Sequence, residues 1–569
     1  MSSSLPTQLQ FNNKFSRTDM ESANLFADFF ASVYSDHQLD PANLNAEIPK
    51  LSTNICVPIV DETTVWSYLK SVKFSFFGGP DKIPSCVAKI CADMLSKPLS
   101  WLFNLSLSSG TFPDVWKDSY VLPLHKSGPK SMVSNYRGIA KLCVFPKIFE
   151  HIIADQLSSS LQPVISQHQH GFMRNKSTVT NLLEFTSLVT DGFSDGKQTD
   201  VTYTDIAKAF DRLCQTLLCW KLDHIGLPPI LVKWVESYLT NRYQCVLFNN
   251  AISRKYKVTS GVPQGSHLGP LLFNLFINDL PAVIKHCSIL MFADDVKLCY
   301  SYNDPRKQNL VQDDLNNLLS WCRVNGLTLN IDKCKVMCFS WRSLVTPNYV
   351  LDGAQLEVVS EYRDLGVLMD PKLSFVKHIN AIICKARSML GFIKRWSIEF
   401  KDPYITKLLF TALVRPLLEY ASPVWSPSYA VHSDAIESVQ KQFLLFALRG
   451  LPWDPSSNLP PYEHRLKLIR LPTLRSRRIV ANVCFLLNLI NGNIFSPSLL
   501  SRINFNIPNR LQRSLRFFRP IYLRTYTVNY LDSEPFRSIC KVFNTYYFLV
   551  CFSNSISEIK SKLFEYLNR

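Results

Sequence analysis

With 569 residues and a mass of 65.1 kDa, the chain is too long for one compact domain of roughly 100–200 residues. Its 47% apolar content is enough to bury large cores and excludes a disordered polymer. Sixty-two basic residues against 45 acidic ones leave a net charge of +17, which favours a polyanionic partner.

Residues 1–18 are polar, and Met1-Ser-Ser-Ser has none of the apolar stretch of a signal peptide. Leu25, Phe26, Phe29, Phe30 and Val33 then recur at helical spacing behind Asp19 or Ser22 as caps. Gly78-Gly79-Pro80-Asp81 breaks the chain. Ser119–Leu124 is predicted as a strand and Cys143–Leu157 as a helix. The β-rich run Val201-Thr-Tyr-Thr-Asp205 ends on an acid, and one helix is expected over Ala207–Ile225, stopped by Gly226-Leu-Pro-Pro229. Leu231–Tyr238 is expected as another helix. Tyr243–Phe248 and Tyr256–Thr259 flank the turn residues Asn249-Asn250. Gly269–Leu280 is apolar and helical in pattern, and Ser288–Phe292 with Val296–Tyr300 bracket two adjacent acids as strand, turn and strand. From Phe375 helices dominate, among them Ala381–Trp396 and Tyr404–Leu413, with proline-rich joints near 416–427 and 451–461. The most apolar run, Ile479 to Ile490, is well short of the roughly 20 residues that span a bilayer, so no membrane role is expected. Sixteen cysteines without a C-x-x-C pair are expected to be reduced, mostly buried thiols of an intracellular protein.

Two adjacent acids between apolar strand residues, Phe292-Ala-Asp294-Asp295-Val-Lys-Leu298, are costly to bury unless a cation offsets them. A hairpin turn presents both at one edge, as two-metal nucleotidyl transfer requires, although an exposed Asp-Asp turn gives the same string. Asp205 supplies a third acid from a separate segment; alone it would also serve as a helix cap. Asp211 suits the first turn of the following helix and is not taken as a ligand. Between the acids lies Ser260-Gly-Val-Pro-Gln264-Gly265-Ser-His-Leu-Gly-Pro270, a loop whose glycines would let backbone approach a nucleotide, or a plain turn.

In order, Asp205-Ile-Ala-Lys-Ala-Phe210-Asp211, Gly261-Val-Pro-Gln-Gly-Ser-His-Leu-Gly-Pro270 and Phe292-Ala-Asp-Asp295 resemble the motifs of reverse transcriptases. The wording is similar to that of non-long-terminal-repeat retrotransposons, the jockey-like elements above all. Gly171-Phe-Met-Arg-Asn-Lys-Ser-Thr178, Leu327-Thr-Leu-Asn-Ile-Asp-Lys333-Cys334 and Tyr362-Arg-Asp-Leu-Gly366-Val367 extend the likeness. The resemblance implies a right-hand α+β polymerase: an N-terminal leader and helical extension (1–75), fingers and palm (76–375), a helical thumb (376–450) and an additional basic α-helical domain (451–569). It implies RNA-directed DNA polymerase activity on an RNA template and DNA primer with dNTP substrates. Asp205, Asp294 and Asp295 would hold two Mg²⁺ ions, Mn²⁺ being an alternative. Phe210 would exclude a ribose 2′-hydroxyl, unless it is only a helix core residue, and Gln264 and Gly265 would line the nucleotide pocket. Arg137 would grip the triphosphate, Lys333 would donate a proton to pyrophosphate or be an ordinary surface lysine, and Tyr362–Val367 would grip the primer.

Three departures stand out. Gly138 and Ala140 replace the family's proline and serine after Arg137, and Asp81-Lys82-Ile83-Pro84 replaces Asp-Gly-Ile-Pro. Nothing resembles the endonuclease of such elements, so nicking is expected from another chain. The place of action is expected to be the nucleus or a cytoplasmic ribonucleoprotein. The rival readings are a truncated, non-mobile copy that only binds nucleic acid, and an RNA-directed RNA polymerase, against which Phe210 and Ala293 speak.

Residues 1–375 carry 35 basic and 34 acidic side chains, whereas 376–569 carry 27 and 11. The positive field therefore belongs to the last third, where phosphate contact is expected from Arg465, Lys467, Arg470, Arg475, Arg477 and Arg478 and from Arg510, Arg513, Arg516 and Arg519. Phe517, Phe518 and Tyr522 among them could stack bases. A solvated helical face is the alternative for any single arginine.

Overall fold

In the computed structural model, which describes residues 8–35, 48–51, 55–342, 345–400, 402–449, 460–506, 519–524, 526 and 528–568, helices and strands mix as an α+β chain. Every named strand ends before residue 370, and the named elements after it are helices.

Helix α1 (Asp19–Ala31) is capped by Thr18, whose hydroxyl accepts from the Glu21 amide, with Asp19 in the first turn and Ser22 buried beyond it. Its apolar face does not stand apart as a leader. Phe26, Phe29 and Phe30 pack on a sheet built from β1 (Asp118–His125) and β2 (Tyr136–Lys141), antiparallel to each other, and from the strand Arg242–Phe248, which lies parallel to β1. Gly138 in β2 makes that packing possible. A Cβ there would meet Val121 Cγ1 at 2.7 Å and the Phe30 ring at 3.3 Å. The proline-to-glycine departure beside Arg137 thus opens room for α1 as well as removing a rigid ring.

Helices α2 (Val144–Leu161) and α3 (Thr178–Ser194) precede β3 (Gln198–Asp205), the buried middle strand of a second sheet. The helix expected over Ala207–Ile225 is broken. Lys208 takes a positive φ, α4 spans only Ala209–Arg212, and α5 starts afresh at Gln215–Ile225. The Gly261 loop causes the break, because its amides at Gly261 and Val262 donate to the carbonyls of Leu213 and Phe210. Then come β4 (Arg242–Phe248), which turns at Asn249-Asn250 into Ala251–Ile252, and β5 (Tyr256–Val258), also paired with β4. Helix α6 (Leu268–Phe276) ends four residues earlier than the apolar pattern suggested.

Strands β6 (Ser288–Phe292), β7 (Asp295–Tyr302) and β8 (Lys335–Phe339) complete the second sheet in the order β8-β3-β7-β6, antiparallel throughout, with Glu357–Val358 parallel at the β8 edge. The hairpin β9 (Tyr362–Asp364) and β10 (Val367–Met369) lies across one face. Helices α7 (Val376–Trp396), α8 (Ala430–Ala447), α9 (Tyr462–Ile469), α10 (Leu474–Ile490), α11 (Pro535–Tyr546) and α12 (Ile556–Leu567) follow. Between α7 and α8 the expected helix Tyr404–Leu413 becomes Pro403–Leu409 followed by a π-helical turn, Phe410–Val414.

While α1 and the first sheet share a smaller cluster of their own, one apolar cluster joins α2, α5 and α6 to one face of the second sheet. Another joins the opposite face, through Val201, Tyr203, Cys299 and Met337, to α3, the hairpin and every later helix named above. Ile383, Phe443, Leu466, Leu486, Phe543 and Leu563 lie in this single cluster, so segments 376–450 and 451–569 do not form two separate cores. Each such side chain contributes about 1.5–3 kcal/mol when fully buried.

Candidate active site

The antiparallel register sets Asp295, first residue of β7, directly opposite Asp205, last residue of β3. Asp294 occupies the turn between β6 and β7 beside Ala293, whose φ of 56° is left-handed and unfavourable for a residue with a Cβ. The buried Gln169 holds that turn: its Oε1 accepts from the amides of Ala293 (2.9 Å) and Gly171 (2.7 Å). Gly171 lies so close that a Cβ would stand 2.3 Å from the Ala293 nitrogen, which is why no larger residue fits. The acids' turn is therefore clamped from below by the segment that opens the Gly171-Phe-Met-Arg motif.

The three carboxylates press on one another electrostatically. Burial, then Asp294 and Asp205, pushes the Asp295 carboxyl up to about 6, and burial with Asp205 also raises Asp294. Among the described residues no three His, Cys, Asp or Glu side chains close into a ready-made cage. Asp205 Oδ2 instead accepts from Lys333 Nζ at 2.9 Å. Hard oxygen donors with unbalanced charge suit a divalent ion of the magnesium class, which needs only one or two carboxylates and completes its shell with water and phosphate.

Cations ring the acids. Arg137 is exposed on β2 and acts electrostatically on Asp294 and Asp211. Lys126, just past β1, lies within the field of Arg137, Lys333, Asp205 and Asp294, and burial first, then Arg137 and Lys333, lower its pKa. The sequence reading missed Lys126; a lysine closing a strand that pairs with the strand of Arg137 was the available signal. Gln264 Nε2 donates to Asp211 Oδ1 at 2.8 Å, while the main-chain carbonyl of Gln264 accepts from the Ala140 amide, tying the loop of Gln264 and Gly265 to β2. Burial raises Asp211 to about 6, offset in part by that bond. Phe210 is half-buried, stacked on Phe273 at 4.3 Å and edge-on to Phe172, an exposed ring with positive φ. It is thus neither wholly core nor free.

The arginines of the last third divide. Lys467, Arg470, Arg475 and Arg519 are exposed, and Arg465 is half-buried over Tyr462. Arg477 forms a two-pronged ion pair with Glu419. Arg478 is 3% exposed, donates to Ser433 and faces Glu437 and Glu419. Both belong to the packing between helices, which takes Arg478 out of the expected phosphate-binding set and leaves Arg477 occupied. Arg510, Arg513 and Arg516, with Phe517 and Phe518, lie outside the described residues. None of the sixteen cysteines is in a disulfide, and no helix among the described residues is long and apolar enough to cross a membrane.

Residues 124–393 match the family described as reverse transcriptase (RNA-dependent DNA polymerase). In Drosophila melanogaster the chain is similar to the "Probable RNA-directed DNA polymerase from transposon BS", 26% identical over 480 residues, 80% of this chain and 53% of that protein. It is also similar to the corresponding polymerase from transposon X-element, 26% identical over 78% of this chain and 50% of the relative. The RNA-directed DNA polymerase from mobile element jockey is 24% identical over 77% and 50%. The chain spans about half the length of these relatives.

Proposed function

We propose that this chain, which carries a reverse transcriptase domain over residues 124–393, extends a DNA primer on an RNA template as the polymerase of a non-LTR retrotransposon. The observation that carries the reading is the strand register that sets Asp205 against Asp295 beside the clamped turn of Asp294. In this reading the second sheet is the palm, the first sheet with its helices the fingers, and the helices from α7 the thumb and a basic extension. Asp205, Asp294 and Asp295 would hold two Mg²⁺ ions, or Mn²⁺, which when bound activate the attacking 3′-hydroxyl and stabilise the departing pyrophosphate.

The chain's own side chains do the rest. Arg137 and Lys126 bind the triphosphate of the incoming dNTP, the guanidinium through paired hydrogen bonds. Gln264, oriented by Asp211, and Gly265 shape the pocket floor, and Phe210, held by Phe273, leaves no room for a ribose 2′-hydroxyl. Lys333 balances Asp205 in the free chain and serves as proton donor to the leaving pyrophosphate in the loaded one. Hairpin β9–β10 grips the primer, and the exposed cations Lys467, Arg470, Arg475 and Arg519 contact template phosphates. The nicking endonuclease comes from another chain or segment, and the nucleus or a cytoplasmic ribonucleoprotein is the place of action.

Primer extension on an RNA template tests this. The chain incorporates dNTPs about a thousandfold above Asp294→Ala/Asp295→Ala, the several kcal/mol that metal-held acids supply. It also prefers dNTPs to rNTPs, and Phe210→Ala narrows that preference. Incorporation no greater than in the double variant sinks the reading.

A further inference from the structure

Below the carboxylates, on the same face of β7, lies a buried cation that the proposed chemistry does not use. Asp295 and Lys297 are two residues apart on one strand, and their partners across the register are Asp205 and Tyr203. The Lys297 ammonium is thus one rung beneath the acids. It donates to Asp364 Oδ2 at 2.6 Å and to Asn181 Oδ1 at 2.6 Å, over the ring of Phe185. Lys297 and Asp364 are each only 5% exposed.

Asp364 is the last residue of β9, so this pair is a direct non-covalent link between the strand of Asp295 and hairpin β9–β10. Other contacts hold the same hairpin. Tyr362 stacks on Tyr203 at 3.8 Å, Val367 and Met369 are fully buried, and Tyr420 donates to the Leu365 carbonyl at 2.9 Å. Asn181 closes the frame by donating to the carbonyl of Met291 in β6, so α3, β6, β7 and the hairpin meet at one ammonium.

A buried ion pair is a weak source of stability, because its desolvation offsets much of its attraction, and apolar side chains of similar size often do as well. Its distinguishing property is direction: an ammonium and a carboxylate at hydrogen-bond distance fix a separation and an angle that apolar contacts leave loose. We propose that Lys297 is a positioning residue, whose pair with Asp364 fixes hairpin β9–β10, and through it the primer 3′ end, relative to Asp205 and Asp295. The proposal rests on the polymerase reading above.

The test compares the full chain with Lys297→Met/Asp364→Leu, which removes both charges and orphans neither, and with Asp364→Asn, which keeps a hydrogen-bond acceptor for Lys297. An RNA template with a DNA primer carrying 2-aminopurine at its 3′ end reports terminus placement by fluorescence without catalysis, and single-turnover incorporation reports chemistry. The double variant is expected to unfold at the wild-type temperature and to bind duplex and dNTP within about threefold. Its incorporation rate should nonetheless fall at least tenfold and its terminus fluorescence change, while Asp364→Asn stays within about threefold of wild type. If the double variant fails to fold, Asp364→Glu takes its place. That variant keeps the charge on an arm one methylene longer, and is expected to lower the rate and shift the fluorescence. A folded variant with wild-type rate and fluorescence overturns the inference while the polymerase reading stands. A wild-type chain that incorporates nothing overturns the polymerase reading. In that case an identical 2-aminopurine signal in chain and variants overturns the positioning role as well.

Discussion

Asp295 stands on β7 and Asp364 on the hairpin packed across the second sheet, where it meets Lys297 one rung from Asp295, and the protein treats the two carboxylates in opposite ways. Asp364 is buried against Lys297 and Asn181 accepts from the same ammonium, so its charge is matched at hydrogen-bond distance. Asp295 faces Asp294 and Asp205, and burial with their repulsion pushes its carboxyl up to about 6, which Lys297 only partly offsets. The arginines of the last third divide along the same line. Arg477 and Arg478 answer Glu419 and Ser433 inside the helical packing, whereas Arg475, in the same helix turn, points to solvent. Charges matched within the chain hold elements in register. Charges left unmatched are the ones available to a ligand.

The comparison breaks first, and by the largest effect, at Asp295. Asp295→Asn should lower incorporation about a thousandfold yet raise the metal-free chain's unfolding temperature at pH 8, by on the order of 1 °C. A raised folded-state pKa means that between about pH 4 and 6 the native state holds more protons than the unfolded one. Stability therefore falls as pH rises through that window, and the ionised group is a net cost above it. The gain should vanish at pH 4, where wild type is already protonated. Mg²⁺ should raise the wild-type midpoint at pH 8 more than the variant's. Scanning calorimetry at both pH values decides it: an Asn variant less stable than wild type at pH 8 would mean Asp295 is already matched within the chain.

Next comes Arg478. Gln there leaves Ser433 and the field of Glu437 and Glu419 without their cation in a buried site, so unfolding should cost about 1–3 kcal/mol less than in wild type. RNA affinity and its salt dependence should not change. A flattened salt slope without loss of stability would return Arg478 to the phosphate-contacting group.

Much of the acid site could be read in the sequence because strands announce themselves locally. Val201–Asp205 and Phe292–Leu298 alternate with the right residues, and the two-residue turn leaves little choice of register. The second layer could not be read so. Gln169 acts through its contacts with Ala293 and Gly171, and Lys297 through a carboxylate 67 residues away, partnerships that no local period reveals. The helix over Ala207–Ile225 failed for the same reason. Its apolar spacing is real, but amides from Gly261 and Val262, far along the chain, take the carbonyls of Leu213 and Phe210 and interrupt it. Net charge was legible too, its disposition was not: spacing counted Arg477 and Arg478 with Arg475, and only packing against Glu419 and Ser433 separates them.

The smallest expected effect is the one that tests that separation from the solvent side. Arg475 lies in the first turn of α10, where the Glu437 carboxylate accepts from the amides of Leu474 and Arg475. That carboxylate satisfies helix-end donors, so the Arg475 side chain is free to extend outward. Arg475→Gln should leave the unfolding midpoint within about 1 °C, since an exposed substitution changes stability by about 0.5 kcal/mol or less. If the side chain contacts one phosphate, log affinity for single-stranded RNA plotted against log salt should lose about 0.7 from its slope. Binding isotherms at four salt concentrations, read for Arg475→Gln beside Arg478→Gln, make the contrast. Equal slopes in the two variants would place the RNA contacts away from the start of α10, on Lys467, Arg470, Arg519 or other exposed cations, and would leave Arg475 as an ordinary solvated face of its helix.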